Sequence, residues 1–170
     1  ADSREAGWPM LAWVKLWHHT HDDRWLAPAD RVFQFYAEKV NEDGKILYEL
    51  PHNLGTFLQG YGEFIAWRAC FHYYEATGKE AVKDFLVEVL GKKEIYKLAP
   101  ARLERGGWAC NDLFPAWAAW KLTGDDKFLV DNHPFLQYMM DREGQFPWNG
   151  VDVMYYLNAL HERGELERFC

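Results

Sequence analysis

The stretch Thr123-Gly124-Asp125-Asp126-Lys127-Phe128-Leu129 has a close relative earlier in the chain, Thr20-His21-Asp22-Asp23-Arg24-Trp25-Leu26. A more divergent copy reads Thr77-Gly78-Lys79-Glu80-Ala81-Val82. Glycine after the threonine suits the left-handed conformation that closes a helix, and the polar residues after it suit the start of the next helix. Repetition of a helix–turn–helix unit within one chain is typical of stacked helical repeats.

Large apolar residues recur in register around these turns. Counted from the threonine, the shared positions are Trp17, Tyr74 and Trp120 three residues earlier, Val14, Phe71 and Trp117 six residues earlier, and Trp25, Val82 and Phe128 five residues later. The first two positions share one helix face, and the third is the first core residue of the returning helix. The pattern therefore predicts αα-hairpins with tight turns, and it predicts that the aromatic residue three positions before each threonine is buried.

The apolar periodicity predicts seven helices, at about 7–19, 27–41, 56–77, 79–91, 108–123, 125–142 and 150–163. The segment 45–50, which follows Asp43-Gly44, predicts at most a short edge strand. A lone αα-hairpin cannot bury its own apolar face, so the copies must stack on one another. We therefore expect an all-α fold of stacked αα-hairpins, with residues 1–170 as a single repeat domain.

Charge and composition exclude some partners. The net charge is −7 without a block of like charges, so nucleic acid is not an expected partner, because phosphate binding needs a basic patch. No run of 18 apolar residues is present, so no membrane span is expected. The 9 Trp, 9 Tyr and 11 Phe either fill gaps between helices or form an exposed surface that stacks on flat ligands and sugar faces.

The chain start and the cysteines are less informative. Ala1-Asp2-Ser3-Arg4 has neither an initiator Met nor the apolar region of a signal peptide, so we expect a processed form or a piece of a longer protein. Three cysteines, Cys70, Cys110 and Cys170, form an odd set without C-x-x-C, and Cys70 in its apolar run is most simply a core residue. Compartment and disulfide status do not follow from them; a secreted or periplasmic location is compatible with the sequence.

The motif Arg4-x-x-Gly7-Trp8 and the turns at 20–26, 75–79 and 123–129 resemble the (α/α) toroid carbohydrate-active enzymes. These are the six-hairpin glycosidases and the related toroidal polysaccharide lyases. The resemblance covers nearly the whole chain and implies a partial (α/α) toroid, a poly- or oligosaccharide substrate and no cofactor. A complete toroid closes with about six hairpins, whereas this sequence has about three and a half. We therefore expect a fragment, a homo-oligomer, a missing second half of the ring or a short open array.

In such toroids the first helix of each hairpin lines the inner wall, and the site lies near the N-terminal ends of these helices. Carried over position by position, the resemblance implies a site built from twelve residues: Arg4, Trp8, His52, Asn53, Tyr61, Glu63, Trp108, Asn111, Asp112, Trp148, Asn149 and Asp152. Helix N-termini also favour anionic groups, because their N–H groups are unpaired and the dipole is positive there. We expect these residues to surround one concave opening.

Three carboxylates among them suit glycoside hydrolysis. A glycosidase uses one carboxyl group as general acid and a second as base or nucleophile. Glu63, Asp112 and Asp152 each lie near the predicted start of a first helix, and we interpret them as candidates for these two roles. The structural alternative is that each carboxylate only stabilises the helix dipole.

His52 and Tyr61 suit a polysaccharide lyase instead. A lyase removes a proton beside a uronate carboxylate, which requires a His or Tyr base and a polar group that neutralises the acid. Asn53 and Arg4 would bind that carboxylate. The structural alternative is a plain turn in Pro51-His52-Asn53-Leu54-Gly55, with Asn53 as a helix N-cap. Hydrolase and lyase therefore both stay open, as does a non-catalytic module that binds a glycan or a peptide, or an inactive half-toroid.

Aromatic and histidine residues divide by position. Trp8, Trp108 and Trp148 follow Gly or Pro at predicted helix starts, which favours stacking platforms for sugars, with Asn111 and Asn149 as polar neighbours. Trp13, Trp17, Trp117 and Trp120 have helical spacing and are predicted core residues. His18, His19 and His21 are predicted solvated turn residues, because no Cys or carboxylate spacing completes a metal site.

Overall fold

The computed structural model describes residues 3–40, 42, 46, 59–91, 113–140 and 150–169; of these, 3–5, 59–63, 138–140, 150–153 and 169 are described by their helical backbone. Over these residues the chain is helical apart from turns and one isolated antiparallel bridge between Val40 and Ile46. The prediction of an all-α fold is confirmed. Of the edge strand expected at 45–50, the structure describes one residue, Ile46, which forms this bridge.

The α-helices in these ranges are α1 (Ser3–Thr20), α2 (Leu26–Lys39), α3 (Gln59–Thr77), α4 (Glu80–Gly91), α5 (Phe114–Thr123), α6 (Lys127–Val130), α7 (His133–Met140) and α8 (Gly150–Glu162). Helices α1 to α4 belong to one compact unit, Ala1–Lys93, and α5 to α8 to a second, Glu94–Cys170. The single domain expected from the sequence stays a prediction. None of these helices combines the length and apolarity needed to cross a bilayer.

Helices α1, α3 and α5 end in the same hydrogen-bonded turn. Their last residues are Thr20, Thr77 and Thr123, the three residues that align in the sequence. Each threonine hydroxyl donates to the carbonyl four residues earlier, at 2.8, 2.8 and 2.7 Å in chain order. Each also accepts from the amide two residues later, at 3.3, 3.4 and 3.1 Å. The predicted hairpin repeat is thus present in the turn atom by atom.

The residue after each threonine has left-handed backbone. Its φ angle is 51° at His21, 63° at Gly78 and 71° at Gly124. Its amide donates to the carbonyl four residues earlier at 2.7 Å in all three turns, which is the hydrogen bond of a left-handed helix cap. Glycine adopts this conformation without strain, but at His21 a side chain occupies it.

The second helix of each hairpin also begins equivalently. The amides of Trp25, Val82 and Phe128 donate to the carbonyl three residues earlier, at 3.1, 3.0 and 3.3 Å. In two turns an aspartate carboxylate accepts from the amide two residues on, Asp22 at 3.1 Å and Asp125 at 2.9 Å. Such a carboxylate satisfies an amide that the new helix leaves unpaired. Val82 is buried, whereas the two aromatic residues are half-buried.

The aromatic residues three positions before each threonine are equivalent but only half-buried. Trp17, Tyr74 and Trp120 are all helical but keep partial solvent exposure, so the prediction that they are buried is met only in part. The buried position lies one turn earlier in two of the three helices, at Val14 and Phe71. The later position lies beside the turn, where an aromatic ring has neighbours on one side and solvent on the other.

The helix predicted at 125–142 is interrupted. Helix α6 ends at Val130, and α7 starts at His133. Pro134 has no amide hydrogen to donate to the carbonyl of Val130, so one continuous helix would lose that bond and meet a steric clash. Instead Asn132 starts α7: its carbonyl accepts from Leu136 at 3.0 Å, and its side-chain amide donates to Phe128 at 3.0 Å.

In the first unit, α1 packs closely on α3 at Gly7. A Cβ atom on Gly7 would lie 2.7 Å from Cγ2 of Ile65 and 3.3 Å from the backbone nitrogen of Ala66. Met10 and Val14 follow on the same side of α1 and are fully buried. The glycine of the Gly7-Trp8 motif therefore allows the backbones of two neighbouring first helices to approach each other.

Aromatic rings join α3 to the second helices of both hairpins. Trp67 on α3 is fully buried, with its ring centroid 6.5 Å from that of Tyr36 on α2 and 5.8 Å from that of Phe85 on α4. Phe33 on α2 contacts Phe85 edge to face at 5.4 Å. Such ring pairs add about 0.5–1.5 kcal/mol each beyond the area that they bury.

The second unit has its own core. Its fully or nearly fully buried members are Leu113, Ala116, Leu129, Phe135, Leu136, Tyr156, Ala159 and Leu160. The Tyr156 hydroxyl donates to the carbonyl of Leu129, which satisfies the one polar atom of that side chain inside the core. Burial raises the pKa of Tyr156 well above its ordinary range, so the phenol stays neutral.

Replacement of Gly7 tests the close approach of α1 and α3. We expect Gly7→Ala to lower the free energy of unfolding by about 1–3 kcal/mol, because the new methyl group overlaps Ile65 and the α3 backbone. Gly91→Ala at the end of α4 is the matched control, since nothing lies within 4 Å of its added Cβ. This control should leave stability unchanged or raise it by up to about 1 kcal/mol. Equal effects of the two substitutions in urea unfolding would contradict the contact.

Candidate functional site

Four of the residues predicted at the helix starts lie in described helices. Arg4 lies in the first turn of α1, Tyr61 and Glu63 lie in the first two turns of α3, and Asp152 lies in the first turn of α8. Seven others lie outside the described residues: His52, Asn53, Trp108, Asn111, Asp112, Trp148 and Asn149. The convergence of the predicted set on one opening therefore stays a prediction.

Trp8 does not begin a helix. Because α1 starts at Ser3, Trp8 lies in its second turn, and the prediction that Gly7-Trp8-Pro9 marks a helix start is wrong. Pro9 is exposed inside the helix, with its ring in solvent. Trp8 is 48% exposed, so part of its indole is accessible to a ligand or another chain.

The three candidate carboxylates do not share one register position. In the sequence, Asp112 lies three residues closer to Thr123 than Glu63 lies to Thr77. Asp152 matches Asp112 when α8 is counted back from its own left-handed residue, Gly164.

An open groove of about 270 Å³ lies between α1 and α2. Its lining is mostly apolar and comes from six residues: Ala6, Trp13, Pro28, Arg31, Val32 and Phe35. Trp13 and Phe35 are half-buried, and Arg31 is exposed. Its volume lies near the lower end of the range of small-molecule sites. Two aromatic rings beside one guanidinium form a surface that stacks on a flat or sugar-like ring and hydrogen-bonds an acceptor on it.

A second polar cluster joins the two hairpins of the first unit. The Tyr73 hydroxyl donates to the Asp30 carboxylate at 2.6 Å, and the Lys79 ammonium donates to the same carboxylate oxygen at 2.6 Å. The Lys79 ammonium also lies 2.7 Å from the Tyr73 hydroxyl oxygen, to which it donates. The three groups link α2, the end of α3 and the α3–α4 turn. We call this set the Asp30 cluster.

The charges of the Asp30 cluster shift its ionisation equilibria. Hydrogen bonds from Lys79 and then from Tyr73 lower the pKa of the Asp30 carboxyl. The hydrogen bond to Asp30 is the main cause that raises the pKa of Lys79. Burial, followed by the hydrogen bond to Asp30, raises the pKa of Tyr73 to about 12. At neutral pH the cluster is therefore a carboxylate, an ammonium and a neutral phenol, which suits an ionic clamp and leaves no group poised to exchange a proton.

The turn histidines and Cys70 do not form a reactive centre. His18, His19 and His21 are exposed, as predicted, and the edges of the His18 and His21 rings contact Trp17 at 5.1 and 5.8 Å between centroids. Among the described residues no group of His, Cys, Asp and Glu has a metal-binding arrangement. Cys70 is a buried free thiol whose pKa burial raises far above its usual range, which agrees with its predicted place in the core.

Comparison of the chain with family models, with curated proteins and with solved structures gives no match. The carbohydrate-active interpretation therefore stays a prediction.

The groove and the Asp30 cluster were both missed from the sequence. Pro28, Val32 and Phe35 lie one and two turns apart on α2, which reads as an ordinary core-facing stripe. Trp13 was predicted to lie in the core, and it lines the groove at half burial instead. Asp30 carried no signal at all, because Tyr73 lies on another helix, far along the chain.

The Asp30 cluster predicts a pH dependence of stability. A lowered pKa at Asp30 contributes stability above the unfolded value of about 4, and this contribution is lost as the pH falls through the folded pKa. The raised pKa values of Lys79 and Tyr73 contribute stability below the unfolded pKa values of about 10. This contribution is lost as the pH rises through the folded pKa values. Asp30→Asn should therefore lower the unfolding free energy by about 1 kcal/mol between roughly pH 5 and 9. The difference from wild type should shrink below pH 4 and above pH 10.

Glu80→Gln is the control for this measurement. It removes an ion pair to Lys83 whose atoms lie 3.4 Å apart at the surface, and we expect a change within about 0.5 kcal/mol at every pH. A pH-independent loss in Asp30→Asn, measured by urea unfolding across the same range, would show that packing rather than charge is the contribution of Asp30.

Proposed function

We propose that this chain is a carbohydrate-active protein of the (α/α) toroid type, which cleaves glycosidic bonds as a glycoside hydrolase or a polysaccharide lyase. The observation that carries the proposal is the hairpin turn repeated three times, with the same hydrogen bonds at Thr20, Thr77 and Thr123. Such hairpins are the building unit of the toroid, and the candidate residues recur near the starts of their first helices. Because a fold hosts many functions, the chemistry must come from those residues.

The proposed chemistry uses one of two sets of side chains. In a hydrolase, two of Glu63, Asp112 and Asp152 supply the general acid and the base or nucleophile. In a lyase, His52 or Tyr61 removes the proton beside the uronate carboxylate, and Asn53 with Arg4 stabilises the developing charge. Arg4, Tyr61, Glu63 and Asp152 lie near helix N-termini, where the dipole favours the anionic groups of a uronate.

Aromatic surfaces supply the proposed sugar contacts. Trp8 exposes 48% of its side chain, and Trp13 with Phe35 lines the groove between α1 and α2. Sugar rings present an apolar C–H face that packs on an indole or phenyl face, while an arginine at the rim hydrogen-bonds the hydroxyl or carboxylate groups. Trp108 and Trp148 are proposed to extend this set of platforms.

The proposal predicts turnover that depends on named carboxylates. The chain should act on at least one member of a panel of neutral and uronate polysaccharides, followed by new reducing ends and by the absorbance of unsaturated uronate products. For a hydrolase, Asp112→Asn or Glu63→Gln should lower kcat by at least about 100-fold while stability stays within about 1 kcal/mol. For a lyase, Tyr61→Phe or His52→Ala should have that effect instead. Asp84→Asn and Glu80→Gln, exposed on α4, are the matched controls and should retain full activity.

A second candidate, non-catalytic glycan binding, is favoured by the groove itself, because the described groove residues include no carboxylate and no histidine. In that case glycans bind without turnover, and Trp13→Ala weakens binding about tenfold or more in calorimetry, whereas Trp120→Ala in the second unit does not. Turnover that is unaffected by all four catalytic-set substitutions contradicts the assignment of these residues to catalysis, and absence of turnover contradicts the enzymatic proposal. Absence of both turnover and glycan binding contradicts both candidates.

A further inference from the structure

Helix α1 carries an apolar stripe in solvent. Trp8, Ala12 and Leu16 follow one another at intervals of four residues, so they lie on one face of the helix. Trp8 is 48% exposed, Leu16 is 39% exposed, and Ala12 is exposed as well. We call these three residues the α1 stripe. Two large apolar side chains in one exposed row cost free energy unless another surface covers them.

The repeat shows what covers this face elsewhere. Aligned on the turn threonines, the α1 stripe corresponds to Ile65, Ala69 and Tyr73 of α3, all of which are buried. In α5 the matching residues that the structure describes are Pro115 and Ala119, which are also buried. The stripe position is therefore buried in α3 and α5 and exposed in α1.

On α3, this position contacts the preceding hairpin. Ile65 packs on Gly7 of α1, and the Tyr73 hydroxyl bonds Asp30 of α2. On α1, the contact is made by the face that contains Gly7. Leu11 and Val14 lie one and two turns further along this face; Leu11 is half-buried and Val14 is fully buried. The first two hairpins thus join by this face of α1, which we call the leading face, against the stripe face of α3.

Helix α8 repeats the leading face and leaves part of it exposed. Helix α8 ends at Glu162, and Gly164 in the turn after it has a φ of 68°, like the left-handed residue of the other turns. Counted back from that residue, Gly150, Met154 and Leu157 take the places of Gly7, Leu11 and Val14. Met154 is 55% exposed and Leu157 is half-buried. Within the part of the chain that the structure describes, α1 therefore has an exposed stripe face, and α8 has a leading face with exposed apolar surface.

We propose that two copies of this chain associate head to tail, with the leading face of α8 in one copy docked on the α1 stripe of the other. The contact continues the packing that joins α1 to α3 within one chain, with Met154 and Leu157 in the roles of Leu11 and Val14. It is heterologous, since the two copies contribute different surfaces. Gly150 takes the place of Gly7, at which a Cβ atom would overlap Ile65 in the contact between α1 and α3.

The test uses charges placed on each face and mixing of the variants. Sedimentation of the wild type should show a mass that rises with concentration above that of the monomer, up to about 1 mM. Leu16→Glu and Met154→Glu should each weaken self-association on the order of 100-fold, because either change buries an unpaired charge. Both positions are exposed, so each variant should keep the wild-type circular dichroism and unfolding curve. Val130→Glu, an equally exposed apolar residue on neither face, is the control and should associate as wild type.

Mixing distinguishes a head-to-tail contact from any other. The Leu16→Glu variant keeps an intact α8 face and the Met154→Glu variant an intact α1 stripe, so an equimolar mixture should form a heterodimer although each variant alone stays monomeric. A wild type that is monomeric at about 1 mM overturns the proposal. So does self-association that Leu16→Glu abolishes and Met154→Glu leaves intact, since two α1 stripes would then face each other. A mixture of the two variants that stays monomeric overturns it as well.

Discussion

A left-handed residue held by a threonine hydroxyl is the constraint from which the rest of the described structure follows. The hydroxyl closes the end of the first helix and at the same time accepts from the start of the second, so both helices of a hairpin take a fixed register from one side chain. Because the register is the same in all three hairpins, equivalent side chains take equivalent positions along their helices. The close approach at Gly7, the aromatic contacts of Trp67 and the burial of Val82 all depend on it.

How far the sequence predicts this structure depends on how local each interaction is. The turns at Thr20, Thr77 and Thr123 were predictable, because every hydrogen bond in them joins residues within a few positions of each other. Pro134, which breaks the helix, is also a local signal. The apolar periodicity continues across the break, however, and predicts one helix. The half-burial of Trp17, Tyr74 and Trp120 was not predictable, since a helical repeat identifies a face and leaves open which end of that face meets solvent.

The candidate site shows the same division. The sequence predicts Trp8 as a stacking residue, and Trp8 is indeed exposed. The prediction that it begins a helix is wrong, because Trp8 lies in the second turn of α1 and the exposed Pro9 after it does not mark a helix start. The groove between α1 and α2 and the Asp30 cluster depend on residues from different helices, and nothing in their own sequence neighbourhoods marks them. The proposed chemistry at the helix starts is inferred from residue type and register, whereas the groove is formed by the packing of two helices.

The most direct test of the turn constraint is a pair of opposite substitutions in the first unit, His21→Gly and Gly78→Ala. Both residues have left-handed backbone. Nothing lies within 4 Å of a Cβ atom added to Gly78, so Gly78→Ala measures backbone strain without a steric clash. Urea unfolding should show His21→Gly more stable than wild type by about 0.5 kcal/mol, net of its lost contact with Trp17, and Gly78→Ala less stable by about 1 kcal/mol. If both substitutions lower the unfolding free energy to the same extent, the left-handed turn is not what sets the hairpin.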